Sequence, residues 1–253
     1  MRGKVDALAR HPLKGFTPEL LERVVLRADE GFPFDRVFAV EDGPSGFDPD
    51  APAHMSKMKF AVLAKIAAVA QVRTRFDDAS GVFHAQAPGA APISVRLSDG
   101  ADRTRLAAWL TDFLGDRVRG PLRVLPAPNA HRFFDHPHGA VSLINVASVR
   151  GIQDRIGLPV DPLRFRANIY VSGWPAWCER GSASRIKLGA ATARVFAPIT
   201  RCAATHVDPA LGERDIDMVE VLNSQFGANV CGVYLHIEAG GELKRGDEVA
   251  LLA

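Results

Sequence analysis

The chain has 253 residues, of which 47% are hydrophobic and 24% charged, with a formal net charge of +2. That length holds one large domain or two modest ones with an ample core. The balance is that of an ordinary globular protein, and its net charge is too small to argue for a nucleic-acid or acidic-membrane binder, which usually shows a concentrated basic stripe.

Residues 4–9 alternate weakly and read as a strand leading into the Pro/Gly turn His11-Pro-Leu-Lys-Gly15. Residues 24–28 and 36–40 read as strands joined through 31–35, and 41–53 as loop from its Asp, Gly and Pro content. Residues 63–75 are rich in alanine, yet the alternation of Ile66, Ala68, Ala70 and Val72 favours a strand, with another near 93–97. Residues 101–114 form the clearest helix: Leu106, Trp109, Leu110, Phe113 and Leu114 share one face, and Gly115 stops it. Three prolines between residues 121 and 128 open a new organisation, which places a domain junction near 116–126. Beyond it, 141–144 reads as a strand, and Asn145 caps a helix with the face Val146, Val149, Ile152 and Ile156, ended by Gly157. Strands are expected at 168–171, 185–188, 193–196, 233–237 and 248–252, with a short helix through Ile216, Val219 and Leu222. Many short strands set among 22 glycines and 17 prolines predict a mainly β (α+β) protein of barrel architecture with a few helices.

The cysteines Cys178, Cys202 and Cys231 are odd in number and widely spaced. They exclude a zinc site of paired-cysteine spacing, a thiolate-held iron–sulfur cluster and a disulfide framework. No secretory apolar core marks the N-terminus and no apolar run reaches membrane-spanning length, so the expected location is the cytoplasm.

Cys202 follows the apolar, β-prone residues Ala193, Val195 and Phe196 and precedes the turn Asp208-Pro209, so it is expected in a loop leaving a strand. Thr200, Arg201, Thr205 and Asp208 surround it. A guanidinium beside a thiol favours the thiolate, the form that ligates metals and attacks electrophiles; the plainer reading is a small buried hydrophobe. Lys14 is either a phosphate-binding point charge or a solvated loop lysine, and Arg36 either a ligand donor or a surface partner of Asp35 or Asp29. Arg164, Arg166 and Asn168, at the entry of a strand, carry donors suited to a phosphate and a planar heterocycle edge, or else form a solvent face. In Val141-Ser-Leu-Ile-Asn-Val-Ala-Ser148, Ser142 and Asn145 stand at a helix N-terminus that suits an anion or a plain cap. His131, His136 and His138 with Asp135 are a minor candidate for a first-row metal, against which Pro137 and the irregular spacing argue. Cys178 and Cys231 read as core or loop cysteines.

The pattern Thr200-Arg-Cys-x-x-Thr-x-Val-Asp-Pro209, followed by Gly212-Glu213, resembles the cysteine loop of the MOSC domain family. Those proteins are similar to the C-terminal domain of molybdenum cofactor sulfurase and to the mitochondrial amidoxime-reducing components. His11-Pro-Leu-Lys-Gly15 resembles the His-Pro-hydrophobic-Lys-Ser turn of the associated N-terminal β-barrel, with Gly15 in place of serine. Asp35-Arg36 resembles that domain's Gly-x-x-x-Asp-Arg element, and Phe165-Arg-Ala-Asn168 resembles Phe-Arg-Pro-Asn with Ala167 in place of proline. Gly241-Glu-Leu-Lys-Arg-Gly-Asp-Glu-Val249 resembles the closing barrel turn.

The resemblance spans nearly the whole chain. It implies a MOSC N-terminal β-barrel domain over 1–118 and a MOSC β-barrel with a few peripheral helices over 119–253. It implies that Cys202 is the catalytic residue and the molybdenum ligand of a pyranopterin molybdenum cofactor. Lys14, Arg36, Ser142, Asn145, Arg166, Asn168, Thr200, Arg201 and Asp208 would bind that cofactor; pyridoxal phosphate is not expected. Many amidoxime-reducing relatives carry an acid just before Ala-Ser, where this chain has Val146. The expected activity is reduction of N-hydroxylated compounds with electrons from a separate protein, because no ferredoxin-like cysteine set follows. The alternative is a cofactor carrier or insertion protein, or a persulfide carrier through Cys202. Neither nucleic acid nor membrane is an expected partner.

Overall fold

Strands dominate the computed structural model, which describes residues 1–129, 131–136, 141–181 and 185–252. The N-terminal half contributes β1 (Arg2–Arg10), β2 (Glu19–Leu21), β3 (Arg23–Leu26), β4 (Phe38–Asp42), β5 (Arg73–Asp77), β6 (Val82–Gln86), β7 (Ile93–Arg96), α1 (Gly100–Leu114) and β8 (Leu122–Pro126). The C-terminal half contributes β9 (Val141–Asn145), α2 (Val146–Ile156), β10 (Ile169–Ser172), β11 (Arg185–Leu188), β12 (Ala191–Thr200), α3 (Met218–Phe226), β13 (Val230–Ala239), β14 (Gly241–Lys244) and β15 (Glu248–Leu252).

Seven strands close a barrel in the order β10, β9, β13, β12, β11, β15, β1, with β1 pairing back onto β10 and β2 added outside β1. Closure removes the free edges that an open sheet would expose. Strands β9 and β10 run parallel. A parallel pair needs a crossover, and α2 supplies it. Alternation fills the interior: in β11, Ile186 and Leu188 are buried while Arg185 and Lys187 face out. They join Val5, Leu8, Val233, Leu235, Ile237 and Val249 in one core. A second core, with Phe16, Val40, Val69, Phe83, Val95, Leu106 and Leu110, lies among β4–β8 and α1. The first strand of the chain thus belongs to the barrel built mostly by the C-terminal half.

One expectation is corrected. Residues 63–72 hold no strand: a 3₁₀ turn, Ala67–Gln71, fills the middle and β5 begins only at Arg73. Ile66, Val69 and Val72 are buried at a three-residue period that belongs to a 3₁₀ turn, with Leu63 in step and Ala70 buried beside Val69; the small alanines among them imitate an alternation. The strands expected at 24–28 and 36–40 both form, and they enter different sheets: β3 pairs with β14 and β4 with β8. The proline-rich stretch at 121–128 contains β8, whose prolines fall outside the ladder's interior. Elsewhere the signals hold. Asp99 caps α1 by accepting from the Asp102 amide, Asn145 caps α2 from the Ala147 amide, and Gly157 ends α2 at φ +69°.

Candidate functional site

A cavity of about 420 Å³ opens between the barrel and the N-terminal half, a size usual for small-molecule and cofactor sites. Of the ten candidate residues, seven line it: Lys14, Arg36, Ser142, Arg166, Thr200, Arg201 and Cys202.

The N-terminal wall is built by main-chain bonds that aim its cations. The Lys14 amide donates to Phe38 O at 2.8 Å and the Arg36 amide to His11 O at 2.7 Å, which fixes the turn against β4. Lys14 is buried; its Nζ donates to Phe133 O at 2.8 Å and pairs with Asp135. Burial is the main force lowering the Lys14 pKa, with Asp135 opposing it. Arg36, held at φ +53°, pairs with the fully buried Asp35 and donates to Arg166 O at 3.1 Å. Burial alone would raise the Asp35 carboxyl, but Arg36 and the His11 bonds outweigh it and hold the group well below the usual carboxylate range. His11, also fully buried, is pushed down to about 3 by burial and by the charges of Arg166 and Arg36, so its imidazole is neutral at physiological pH. Gly15 takes φ +88°, and a side chain there would set its Cβ 2.8 Å from Val62 Cα. The positive φ and the approach of Val62 together make glycine the residue that fits this turn without strain.

The opposite wall is delivered by β12. Its pairing with β13 shifts register between Val195 and Ala197 and again between Pro198 and Thr200. Such bulges turn a strand end, and here they lead Thr200 and Arg201 to the cavity. Cys202 then opens the 3₁₀ turn Ala203–His206, with its carbonyl accepting from the Thr205 amide at 2.9 Å and from Thr205 Oγ1 at 2.8 Å. Its thiol is free, partly exposed and faces the cavity. Arg201 is committed to main chain, with Nε donating to Cys231 O at 2.8 Å and Nη1 to Phe165 O at 2.8 Å. Arg166, at φ +52°, donates to Phe16 O at 2.7 Å. Burial and the Arg36 charge lower its guanidinium to about 10. Arg164 braces the cysteine loop, holding Asp215 in a fork at 2.7 and 2.6 Å and reaching the Thr205 and His206 carbonyls.

Asn145, Asn168 and Asp208 lie off the cavity, their polar atoms engaged elsewhere. Asn168 holds Ser142 and Ala9 O, and Asn145 bonds Pro175 O and the buried Glu179. Asp208 accepts from the Ala210 and Leu211 amides at 2.7 and 2.9 Å. They shape the site from behind. Val146 is buried apolar surface. His131 stacks near Phe47 and Phe133, whereas His136 packs on Phe196 and Tyr234, so the two do not converge. His138 lies outside the described residues, among which no His/Cys/Asp/Glu group suits a metal ion. Burial raises Cys178 to about 11 and Cys231 to about 12, which keeps both as thiols.

Sequence reasoning missed Lys57, which the turn Lys57–Lys59 brings to the cavity beside Asp135 and the Cys202 thiol. Against the cost of burial, Asp135 and Cys202 raise its pKa. No local signal marks this lysine; only the meeting of the two halves does. Asp135 itself was legible only as a companion of the histidines. Tyr234 and Phe165, which close the walls, read as plain strand and turn residues.

A closed barrel with a cysteine loop, facing an N-terminal unit that supplies a lysine turn, defines a two-part β class. Family models match in two blocks: the MOSC N-terminal beta barrel domain over residues 2–117 and the MOSC domain over residues 130–250. The chain belongs to the MOSC family and carries both parts. MOSC domains are associated with molybdenum cofactor binding or sulfuration. No curated protein matches the sequence. Among solved structures, the YuaD protein of Bacillus subtilis is similar at 13% identity and TM-score 0.44, over 98% of this chain and 94% of that one. YiiM of Geobacillus stearothermophilus is similar at 18% identity and TM-score 0.35, over 45% of this chain and 54% of that one. No helix of the described residues is long and apolar enough to cross a membrane.

Proposed function

We propose that the protein binds the pyranopterin molybdenum cofactor through Cys202. In this reading it is a cytoplasmic oxidoreductase that removes oxygen from N-hydroxylated compounds such as amidoximes, with electrons from a separate protein. One observation carries the reading: a free thiol shares one cavity with Lys14, Arg36, Lys57 and Arg166. A soft sulfur donor suits a metal already held by sulfur, and clustered cations suit a phosphate, so the residues present fit the group. When bound, the cofactor supplies the redox chemistry.

The chain's own part is to hold and orient. Lys14, Arg36 and Arg166 supply the charge and planar donors that a phosphate and a pterin edge require. Arg201 and Thr200 fix the loop that presents Cys202, and Arg164 fixes that loop from behind. Asn168, through Ser142, keeps β9 and β10 in register beneath them. Val146 puts no acid where amidoxime-reducing relatives have one, and that favours a second reading as a cofactor carrier without turnover.

Metal and pterin content of wild type and Cys202→Ala, with model amidoxime reduction assayed alongside, separates these readings. About one molybdenum per chain with turnover, both lost in the variant, is the expected result. Bound cofactor without turnover, given a competent electron donor, assigns the carrier. Protein that cannot be loaded overturns both.

A further inference from the structure

The cavity's cations already have an anion among them, and it comes from the chain. Lys14 is buried with only 4% of its side chain exposed, and its ammonium pairs with the Asp135 carboxylate, whose side chain is 48% exposed. Arg36 and Lys57 line the same cavity and act on the same carboxylate. A buried ammonium without a counter-charge is costly, so Asp135 stabilises the arrangement. The two partners differ in exposure and in how they are held. Lys14 sits on a turn pinned to β4 by two bonds, Lys14 N to Phe38 O and Phe38 N to Pro12 O. Asp135 instead lies two residues beyond Phe133, whose amide bond to Arg36 O is the near anchor on that segment. On its far side, the His136 ring packs on Phe196 and Tyr234.

We propose that Asp135 is an internal stand-in for an anionic ligand group: its carboxylate occupies the subsite formed by Lys14, Lys57 and Arg36, and a phosphate-bearing ligand binds there by displacing it. A phosphate brings more acceptors and more charge than a carboxylate to the same donors. Once it is seated, a carboxylate beside it is a like charge and has to move away. The apparent affinity for the ligand is then reduced by the share of molecules in which Asp135 holds the subsite. The proposal rests on reading the cavity as the place of a phosphate-bearing cofactor, and it assigns that place a competitor within the chain.

The test is titration calorimetry of inorganic phosphate and of pyrophosphate into the cofactor-free full chain. Wild type, Asp135→Asn, Asp135→Ser, Lys14→Ala and the Lys14→Ala/Asp135→Asn pair are compared. Removing the carboxylate is expected to tighten phosphate binding about tenfold, and Lys14→Ala is expected to abolish that gain, as coupled groups require. Equal or weaker binding in the folded Asp135 variants, or no phosphate binding in any protein, overturns the proposal. Hydrogen exchange of wild type gives a readout free of mutation: saturating phosphate should speed exchange at the amides of residues 133–136, and unchanged or slower exchange overturns it. Loading with the pterin cofactor is scored separately. Tighter phosphate binding in a protein that never takes up pterin leaves this subsite standing and removes the cofactor reading. Pterin uptake with no Asp135 effect does the reverse.

Discussion

The two walls of the cavity handle positive charge in opposite ways. On the N-terminal wall, Arg36 and Lys14 are matched by carboxylates, Asp35 and Asp135. On the barrel wall, and among the described residues, the Arg166 and Arg201 guanidinium groups donate to main-chain carbonyls, those of Phe16, Phe165 and Cys231. The consequence is visible in the arginines: Arg36 is raised, chiefly by Asp35 against the cost of burial, whereas burial lowers both Arg166 and Arg201; on Lys14 burial still outweighs Asp135. Carbonyl bonds satisfy donors without cancelling charge. The barrel wall therefore keeps its positive potential for a ligand, and the N-terminal wall keeps its geometry. A single site can hold both properties because the two walls come from different halves of the chain.

The largest expected effect breaks the neutralised wall. Asp35→Asn leaves Arg36 without its buried partner and should cost about 3–5 kcal/mol in urea unfolding. A loss below about 1 kcal/mol would show that Arg36 relaxes into the cavity. Acid tests the same wall next. His11 stays neutral in the fold down to about 3 against an ordinary 6.5, so only the unfolded chain gains its proton as pH falls. Stability from this group is full above pH 6.5 and shrinks below it. From pH 7 to pH 4 wild type should lose about 3 kcal/mol more than His11→Gln, measured as the difference in denaturant midpoints times slope. The Asp35 carboxyl, held low in the fold, adds a loss of the same sign at more acidic pH.

Gly15→Ser tests whether the wall tolerates a side chain at this turn. The positive φ and the approach of Val62 should cost about 1–3 kcal/mol, and Val62→Ala in the same chain should recover part of it. The smallest effect concerns the seam between walls. Arg214 donates to Ala203 O beside Cys202 and to Leu63 and Ala64 O across the cavity, at 2.9, 3.1 and 2.9 Å. Arg214→Ala should cost about 1 kcal/mol and speed hydrogen exchange of residues 203–208. Unchanged exchange there would mean that Arg164 alone holds the loop.

Much of this site could be read from residue order, because each piece is a local device. Asn145 and Gly157 bracket α2 by capping chemistry, and the apolar run before Thr200 delivers Cys202 into a loop whatever the rest of the chain does. The Lys14 turn and the Arg166 turn are likewise short-range shapes, recognisable by resemblance. By itself the sequence determined these shapes, the mainly β class and the family.

What only the tertiary structure decided is direction and partnership. Asn168, Asn145 and Asp208 belong to the same motifs as Arg166, Ser142 and Cys202, yet long-range bonds to Ala9, Glu179 and Arg164 draw them away from the cavity. Lys57 and Asp135 carry no motif and enter because folding brings them to Cys202 and Lys14. The 3₁₀ turn at 67–71 escaped for a related reason, since alanine fits either period and packing of Ile66, Val69 and Val72 chose between them. A side chain's type is written in the chain; which neighbour it faces depends on contacts far apart in sequence, and electrostatics acts only through those contacts.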